Sequence, residues 1–473
     1  MSDSSLSGLR QRLSALHLKT DAADLEFYGR DWTRRWTPAP LAIALPSDIA
    51  EVQEIVRWAV ENRVGIVPSG GRTGLSGGAV ATNGELVLSF ERMNRVLGFD
   101  PVDRLLSVQP GLALEALQNA AREQGMYYPV DFASRGSCSI GGNIATNAGG
   151  IRVIRYGNTR EWIAGLKLVT GSGELLDLNR GLVKNSSGYD LRHLVIGAEG
   201  TLGLVVEAEV RLTDAPVESN VMLLALPAME NLMQVYAACR NGLGISAFEF
   251  FTDRAREHVV RHGASDPFGQ VHPYYVIVEF DAADEEQRAS ALAVFERCFS
   301  EGWVQDGVIS QSVAQAAALW RLREGISESL APLKPYKNDI SVRISAIPSF
   351  MQAMHEIFQR EYPQHDVVWF GHIGDGNLHI NVIKADGMEE EAFIADCERV
   401  TALLRSATTP GSSVRLPDPL AADDEHEYFR RLSTDIEPAL GWERPAFLTH
   451  FPSVHASLAR RCDDDPSVCL RAE

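Results

Sequence analysis

Apolar positions recur at two different periods along the chain, and the changes of period mark its elements. After Pro46 the run DIAEVQEIVRWAVENR places Val52, Ile55, Val56, Ala59 and Val60 on one helical face. Asp48 and Glu51 precede them at capping-box spacing, so a helix is predicted. It runs into GIVPSGGRTGLSGGAV, a short apolar strand opening into a glycine-rich loop. Strands follow at Glu85 to Phe90 and Leu105 to Val108, then a helix from Leu114 to Gln124 that Gly125 closes. In LKLVTGSGELLDL, Leu166 to Leu178, apolar and polar residues alternate around a Gly-Ser-Gly turn, a hairpin signature. From Met222 the predicted order is strand (Met222 to Leu226), helix (Met229 to Cys239), strand (Ala247 to Thr252), strand (Tyr275 to Phe280), helix (Glu285 to Phe299), strand. That is the β-α-β-β-α-β order of a ferredoxin-like layer, which implies no function by itself. The fold class is α+β.

Length and charge narrow the picture. At 473 residues the chain exceeds what one hydrophobic core organises, so several domains are expected. The expected divisions are an N-terminal segment 1–40, a domain 41–214, a second domain 215–404 and a tail 405–473. A net charge of −19, with no Lys/Arg stripe to override it, argues against nucleic acid and against anionic lipid. No apolar run approaches the roughly 20 residues of a membrane span. The N-terminus MSDSSLSGLR lacks a signal core, and the six cysteines show neither framework spacing nor a CxxC pair, so a reducing, cytoplasmic setting is expected. An anionic substrate would need isolated cations to collect it.

The chemistry begins in the glycine loop. Five glycines among the eleven residues of PSGGRTGLSGG, Pro68 to Gly78, let several backbone N–H groups turn inward as an anion nest. Taken alone, such a loop reads equally well as a plain turn. It is neither a P-loop, since no GKS/T follows, nor a GxGxxG fingerprint. Two further clusters, GSCSIGGNIATNAGGIRVIRYGNTREWI (Gly136 to Ile163) and KNSSGYDLRHLVIGAEGTLGLV (Lys184 to Val205), complete a pattern. In this order and spacing the three blocks resemble the FAD-binding domain of the vanillyl-alcohol oxidase and p-cresol methylhydroxylase superfamily, in its FAD-linked oxidase branch. The resemblance implies a two-subdomain FAD-binding domain followed by a cap domain. It implicates Gly70, Gly71, Arg72, Thr73, Gly74, Gly77, Gly78, Ser137, Ile140, Gly141, Gly142, Asn143, Asn147, Gly149, Gly150, Glu199, Gly200 and Gly203 in holding FAD. Some relatives attach flavin through a His or Cys of the first loop. Pro68 to Gly78 has neither, so a non-covalent cofactor is expected. Cys138 reads as a small buried thiol.

A last set, LWRLREGISESL (Leu319 to Leu330), PYKNDISV (Pro335 to Val342) and WFGHIGDGNLHINV (Trp369 to Val382), resembles the D-2-hydroxyglutarate dehydrogenase, D-lactate dehydrogenase and glycolate oxidase group. His372 and His379 stand seven apart across a Gly-Asp-Gly-Asn turn, so a hairpin can point both imidazoles into one site as metal ligands. Two histidines so spaced are by themselves surface residues more often than ligands. Within GHxGDGNLH the resemblance implies ligation of Zn or Mn. It also implies Arg323 as a carboxylate clamp, which suits a planar guanidinium, with Lys337 and Ser327 on neighbouring oxygens and Asn381 near the reacting centre. Arg323 reads otherwise as a surface partner of Glu324 or Glu328. Trp320 and Trp369 read as core. The implied reaction is oxidation of a small anionic 2-hydroxy acid to its 2-oxo acid, with hydride transfer to flavin N5. Electrons would leave to a quinone, an electron-transfer flavoprotein, a cytochrome or dioxygen. The oligomeric state stays open, with a homodimer admitted.

The chain departs from this group after TALLRSATT. Relatives continue into an S-x-E-H-G-x-G segment, which carries a third metal ligand and a catalytic His, and neither it nor their terminal block is present. The tail, notably EPALGWERPAFLTHFPSVHASLAR (Glu437 to Arg460), instead resembles a fragment of the lysyl-tRNA-synthetase-like ligases that modify elongation factor P. A gene fusion, a frameshift or an artificial joining near residue 405 is expected, with Glu425, His426 or Glu427 as remote stand-ins for the lost ligand. The competing expectation is therefore an FAD-binding protein whose catalysis is impaired. A ligase defined by the tail is disfavoured, because the tail holds no complete ATP-binding motif.

Overall fold

The computed structural model describes residues 3–13, 17–34, 36–179 and 181–407. The described chain forms two compact units, one of 1–150 and 156–215, the other of 151–155 and 216 onward. The short segment Ile151–Arg155 thus interrupts the first unit in sequence and belongs to the second by its contacts.

In the first unit, β1 (Leu18–Lys19), β2 (Ala42–Ala44), β3 (Ile66–Ser69) and β4 (Leu86–Ser89) make a sheet in the order β1-β2-β4-β3, with β2 and β3 parallel to β4. These strands are short, and β2 and β4 are buried at every position, as parallel strands covered on both faces must be. The helix Ile49–Asn62 covers one face with Val52, Ile55, Val56 and Ala59. Its Asp48 side chain accepts from Glu51 N–H at 2.9 Å, while Glu51 reaches back to Ser47 N–H at 2.7 Å, one residue before the predicted box partner. A second, antiparallel sheet has the order β5-β6-β9-β7-β8, from β5 (Val96–Asp100), β6 (Leu105–Val108), β7 (Ile163–Val169), β8 (Leu175–Leu178) and β9 (Leu204–Arg211). The predicted hairpin is β7–β8. Strand β5 escaped prediction because it is an edge strand with no fully buried residue.

The second unit is one seven-stranded sheet in the order β13-β10-β12-β11-β15-β16-β14. Its strands are β10 (Ser219–Leu226), β11 (Ile245–Thr252), β12 (Tyr274–Asp281), β13 (Asp306–Ile309), β14 (Tyr336–Ser341), β15 (Asp366–His372) and β16 (Asn377–Ile383). The first four have the ferredoxin-like order, and the other three extend that layer beyond β11. The helix Asp253–Arg261, between β11 and β12, was not predicted. One face is apolar along its length, where Phe248, Phe250, Val278, Trp369, Leu378, Ile380 and Val382 pack under helices Leu232–Gly242, Glu285–Ser300 and Ile347–Glu361.

The opposite face changes character along the sheet. Over β10, β12 and β11 it is apolar apart from Glu279 and Glu249, and meets Leu319, Trp320, Leu322, Ile326 and Leu330 of helices Val313–Glu324 and Ile326–Leu330. Beyond β11 it becomes polar. Residues directly opposite on antiparallel strands share a face. The register pairs Glu249 with His372, Phe370 with His379, His379 with Asp339, and Asn381 with Lys337. Five polar side chains of the extension therefore share one face with Glu249 of β11.

Candidate active site

The three glycine blocks meet in the first unit. A Cβ on Gly71 would stand 2.0 Å from Ser137 O and 2.7 Å from Cys138 Cα, and one on Gly70 would stand 2.2 Å from Ser139 Oγ. Only residues without side chains let the first loop lie against the second. Gly200, at φ +84°, would likewise drive a Cβ to 2.6 Å from Pro68, and Glu199 N–H donates to Ala145 O at 2.8 Å, which brings in the third block. Ile140, Gly141, Gly142 and Asn143 lie in the helix Ile140–Ala145, capped by Ser139. Beyond it Asn147, at φ 47°, accepts from Arg160 N–H at 3.0 Å, and Gly149 and Gly150 follow. Gly203, at φ +148°, closes the third block.

Two observations fit this cradle to a ligand. Ser69 Oγ and Asn143 Nδ2, from the first and second blocks, are buried without a hydrogen-bond partner. Such atoms are costly to bury unless something completes them. Gly74, midway along the first loop with Thr73 and Gly78, has no atom within 4 Å of its Cβ position. The sequence reading overlooked Ser69, and also Asp31, whose Oδ2 accepts from Gly77 N–H at 2.9 Å and props the loop. The Arg72 guanidinium lies 4.6 Å from the Phe27 ring centre and 4.8 Å from that of Tyr28, where burial lowers its pKa. Its side chain packs on those rings, and its backbone lies in the left-handed region. Cys138 is a buried free thiol whose pKa burial raises.

The second site is the polar face of the sheet extension. His372 ends β15 and His379 lies in β16, and their rings meet edge to face with centroids 5.1 Å apart. The hairpin thus brings together the two imidazoles as their spacing suggested. His372 Nδ1 is 2.8 Å from Glu249 Oε1, and His379 Nδ1 is 3.5 Å from Asp339 Oδ1. Burial lowers the His379 pKa and raises the Asp375 carboxyl, in the turn between the strands, to about 6. Among the described residues no group of three His, Cys, Asp or Glu side chains is arranged to hold a metal ion.

Arg323, in the last turn of helix Val313–Glu324, is not on the helix surface: it is buried, with its guanidinium 4.8 Å from the Phe370 ring centre. Its Nη2 is 2.7 Å from Glu249 Oε2, yet Nε and Nη2 make no hydrogen bond. The buried Glu249 carboxyl is destabilised by desolvation, but facing His372 and Arg323 outweigh this and hold it below the usual range. Lys337 is half-buried opposite buried Asn381, and desolvation lowers its pKa. Ser327 is exposed on the next helix. Trp320 and Trp369 are core residues. Glu249 was missed by sequence reasoning, although a lone carboxylate inside AFEFF is a signal of a buried, partnered charge.

A second carboxylate, Glu279 of β12, organises the segment Ile151–Arg155. Arg152 grips it with Nε at 2.8 Å and Nη2 at 3.0 Å, while Ser246 Oγ and Trp320 Nε1 donate at 2.6 and 3.2 Å. Arg155 pairs with Asp281.

Comparison with known proteins agrees with this architecture. The chain matches the FAD binding domain family over residues 40–179 and the C-terminal domain of FAD linked oxidases over 215–406. It is 68% identical over 407 residues to a D-2-hydroxyglutarate dehydrogenase of Xanthomonas citri pv. viticola, covering 86% of each chain. It is 52% identical to that of Stutzerimonas stutzeri, covering 80% of this chain and 82% of the other. Among solved structures, alkyldihydroxyacetonephosphate synthase superposes with a TM-score of 0.68 at 17% identity, covering 93% of this chain and 85% of that one. p-Cresol methylhydroxylase superposes with a TM-score of 0.67 at 14% identity, covering 86% and 87%, so both share the fold. The matched families stop at 406, and the expected ligase-like fragment, with Glu425, His426 and Glu427, lies outside the described residues. From Pro40 to Ser406 the protein belongs to the FAD-linked oxidases, in the company of the D-2-hydroxyglutarate dehydrogenases.

Proposed function

We propose that this FAD-linked oxidase oxidises D-2-hydroxyglutarate, the compound that names its relatives, to the 2-oxo acid. The observation that carries the reading is Arg323, a buried guanidinium that is ion-paired with Glu249 through Nη2 yet keeps Nε without a hydrogen-bond partner, beside two imidazoles in edge-to-face contact. A buried guanidinium with donors left over from its ion pair can take a substrate carboxylate on them, a planar task that suits its fork. Lys337, across the strand pair from Asn381, supplies the cation for a second carboxylate, which favours a dicarboxylate over lactate or glycolate. Asn381, buried on the same face, is assigned to orient the hydroxyl-bearing carbon, and Ser327, exposed on the helix Ile326–Leu330, to meet a carboxylate oxygen.

The donor chemistry fits a divalent cation as far as two ligands go. With each Nδ1 turned toward a carboxylate, His372 and His379 have Nε2 to offer Zn or Mn. Such an ion, when bound, makes the substrate hydroxyl more acidic. FAD, when bound in the glycine cradle without a covalent link, supplies the hydride acceptor. Quinone, electron-transfer flavoprotein or cytochrome is the proposed final acceptor.

Anaerobic addition of D-2-hydroxyglutarate to the yellow protein should bleach the flavin band, with D-lactate and glycolate slower. A band bleached by dithionite but by none of the three acids would support the alternative, an FAD-binding protein without turnover. That alternative draws on the absence of a third metal donor among the described residues.

A further inference from the structure

We propose that Glu249 is the positioning residue of this site, fixing His372 in the one tautomer that leaves Nε2 free for a cation. The inference rests on the functional reading above for its consequence, and on the geometry of one buried carboxylate for its content. Glu249 lies on β11, with 1% of its side chain exposed, and among the described residues two groups stand within 3 Å of its oxygens. Oε1 faces His372 Nδ1 at 2.8 Å and Oε2 faces Arg323 Nη2 at 2.7 Å. A carboxylate paired with an arginine is an acceptor at both oxygens, so a neutral imidazole facing it must carry its hydrogen at Nδ1. The lone pair is then at Nε2. A carboxylate behind a ligating histidine both orients the ring and raises its basicity.

The alternative acceptors are few. Asp375, in the turn that follows His372, spends Oδ1 on Asn377 N–H at 3.0 Å, and Asp339 stands beside His379. His372 therefore takes its tautomer from β11, a strand that bears neither imidazole. Because β11 is central to the sheet and β15 pairs with it through Glu249–His372, Phe250–Gly371 and Phe251–Phe370, the ring is held by backbone register as well as by the carboxylate.

Glu249→Gln tests this sharply, because an amide has one acceptor and one donor where the carboxylate has two acceptors. Arg323 has only donors, so the amide oxygen turns to Arg323 and the NH2 turns to His372 Nδ1. The imidazole must then accept at Nδ1 and carry its hydrogen at Nε2. The variant inverts the tautomer rather than merely loosening it.

Nitrogen-15 NMR of histidine-labelled, metal-free protein should show His372 protonated at Nδ1, and in Glu249→Gln at Nε2. Zinc affinity by chelator competition should fall about 10- to 100-fold, with the FAD content unchanged. Glu249→Asp should restore the Nδ1–H form at least in part. An Nε2–H form in the unaltered protein, which needs no variant to fold, would overturn the proposal. So would Glu249→Gln that keeps both tautomer and zinc affinity. Neither readout needs substrate, so a protein that keeps the tautomer but fails to oxidise hydroxy acids would sink the functional reading and leave this one standing.

Discussion

Replacing Gly71 by alanine is the most demanding test of the cofactor cradle, because a single methyl must enter a space already filled by backbone. Its Cβ would lie 2.0 Å from Ser137 O, 2.7 Å from Cys138 Cα and 2.8 Å from Ser137 C. No rotamer change relieves a clash with main chain, so one of the two loops must move. Overpacking of this kind costs about 1 to 3 kcal/mol. Ser137–Ser139 leads directly into the capped helix Ile140–Ala145, and the first loop is tied at Asp31 and Arg72, so the strain falls on the loop contact itself. At about 1.4 kcal/mol per tenfold, FAD dissociation constants should rise roughly 5- to 150-fold if the loss appears in binding. Gly171→Ala is the matched control, since nothing lies within 4 Å of that Cβ position in the β7–β8 turn. Flavin fluorescence titration of apoprotein measures both. Wild-type affinity in Gly71→Ala, or equal loss in Gly171→Ala, would refute the claim that loop contact builds the FAD site.

Arg152→Ala should lower the melting temperature of the second unit by roughly 6 to 20 °C, since breaking a buried pair costs about 3 to 5 kcal/mol. Desolvation alone would raise the Glu279 carboxyl, but Arg152, Ser246 and Trp320 hold it low, so its stabilisation is complete above the ordinary glutamate range and lost as pH falls through the depressed value. Glu279→Gln should flatten that acid limb of a melting-versus-pH curve. Burial lowers the Lys337 pKa, so substrate binding should weaken as pH rises through a value below the ordinary lysine range. In Lys337→Arg that limb should disappear from the pH profile of KM. Extensively dialysed protein should carry clearly less than one equivalent of Zn or Mn by elemental analysis, because catalytic zinc usually has three protein donors and His372 and His379 are two. A full equivalent would mean that residues beyond 407 complete the site.

Periodicity located the elements whose amphipathic faces are regular. The helix Ile49–Asn62 and the β-α-β-β-α-β layer announce themselves through positions that must be buried whatever lies beside them. What stayed hidden was set by neighbours distant in sequence. Strand β5 has an exposed-to-intermediate pattern and exists because β6 supplies its ladder. The extension of the sheet by β15, β16 and β14 depends on β11 pairing with β15 across more than a hundred residues, which no local window reports. Likewise Ile151–Arg155 reads as part of a glycine-rich stretch until Glu279 and Asp281 claim its two arginines.

The site divides along the same line. Glycines, and histidines within a hairpin, carry their meaning locally: a backbone without Cβ and a pair of rings on adjacent strands follow from spacing. Their electrostatic partners do not. Glu249 is separated from Arg323 and His372 by long stretches of sequence, yet its two oxygens decide how each presents itself. A carboxylate at that position is tolerable only if both neighbours are cations or donors, because desolvating an unpaired charge is prohibitive. The presence of Glu in AFEFF therefore already called for partners from elsewhere in the fold. Arg323 meets one demand as an ion pair, with hydrogen-bond donors to spare, and His372 meets the other with one ring nitrogen. The chemistry of the site follows from what those two residues still have to offer once Glu249 has been served.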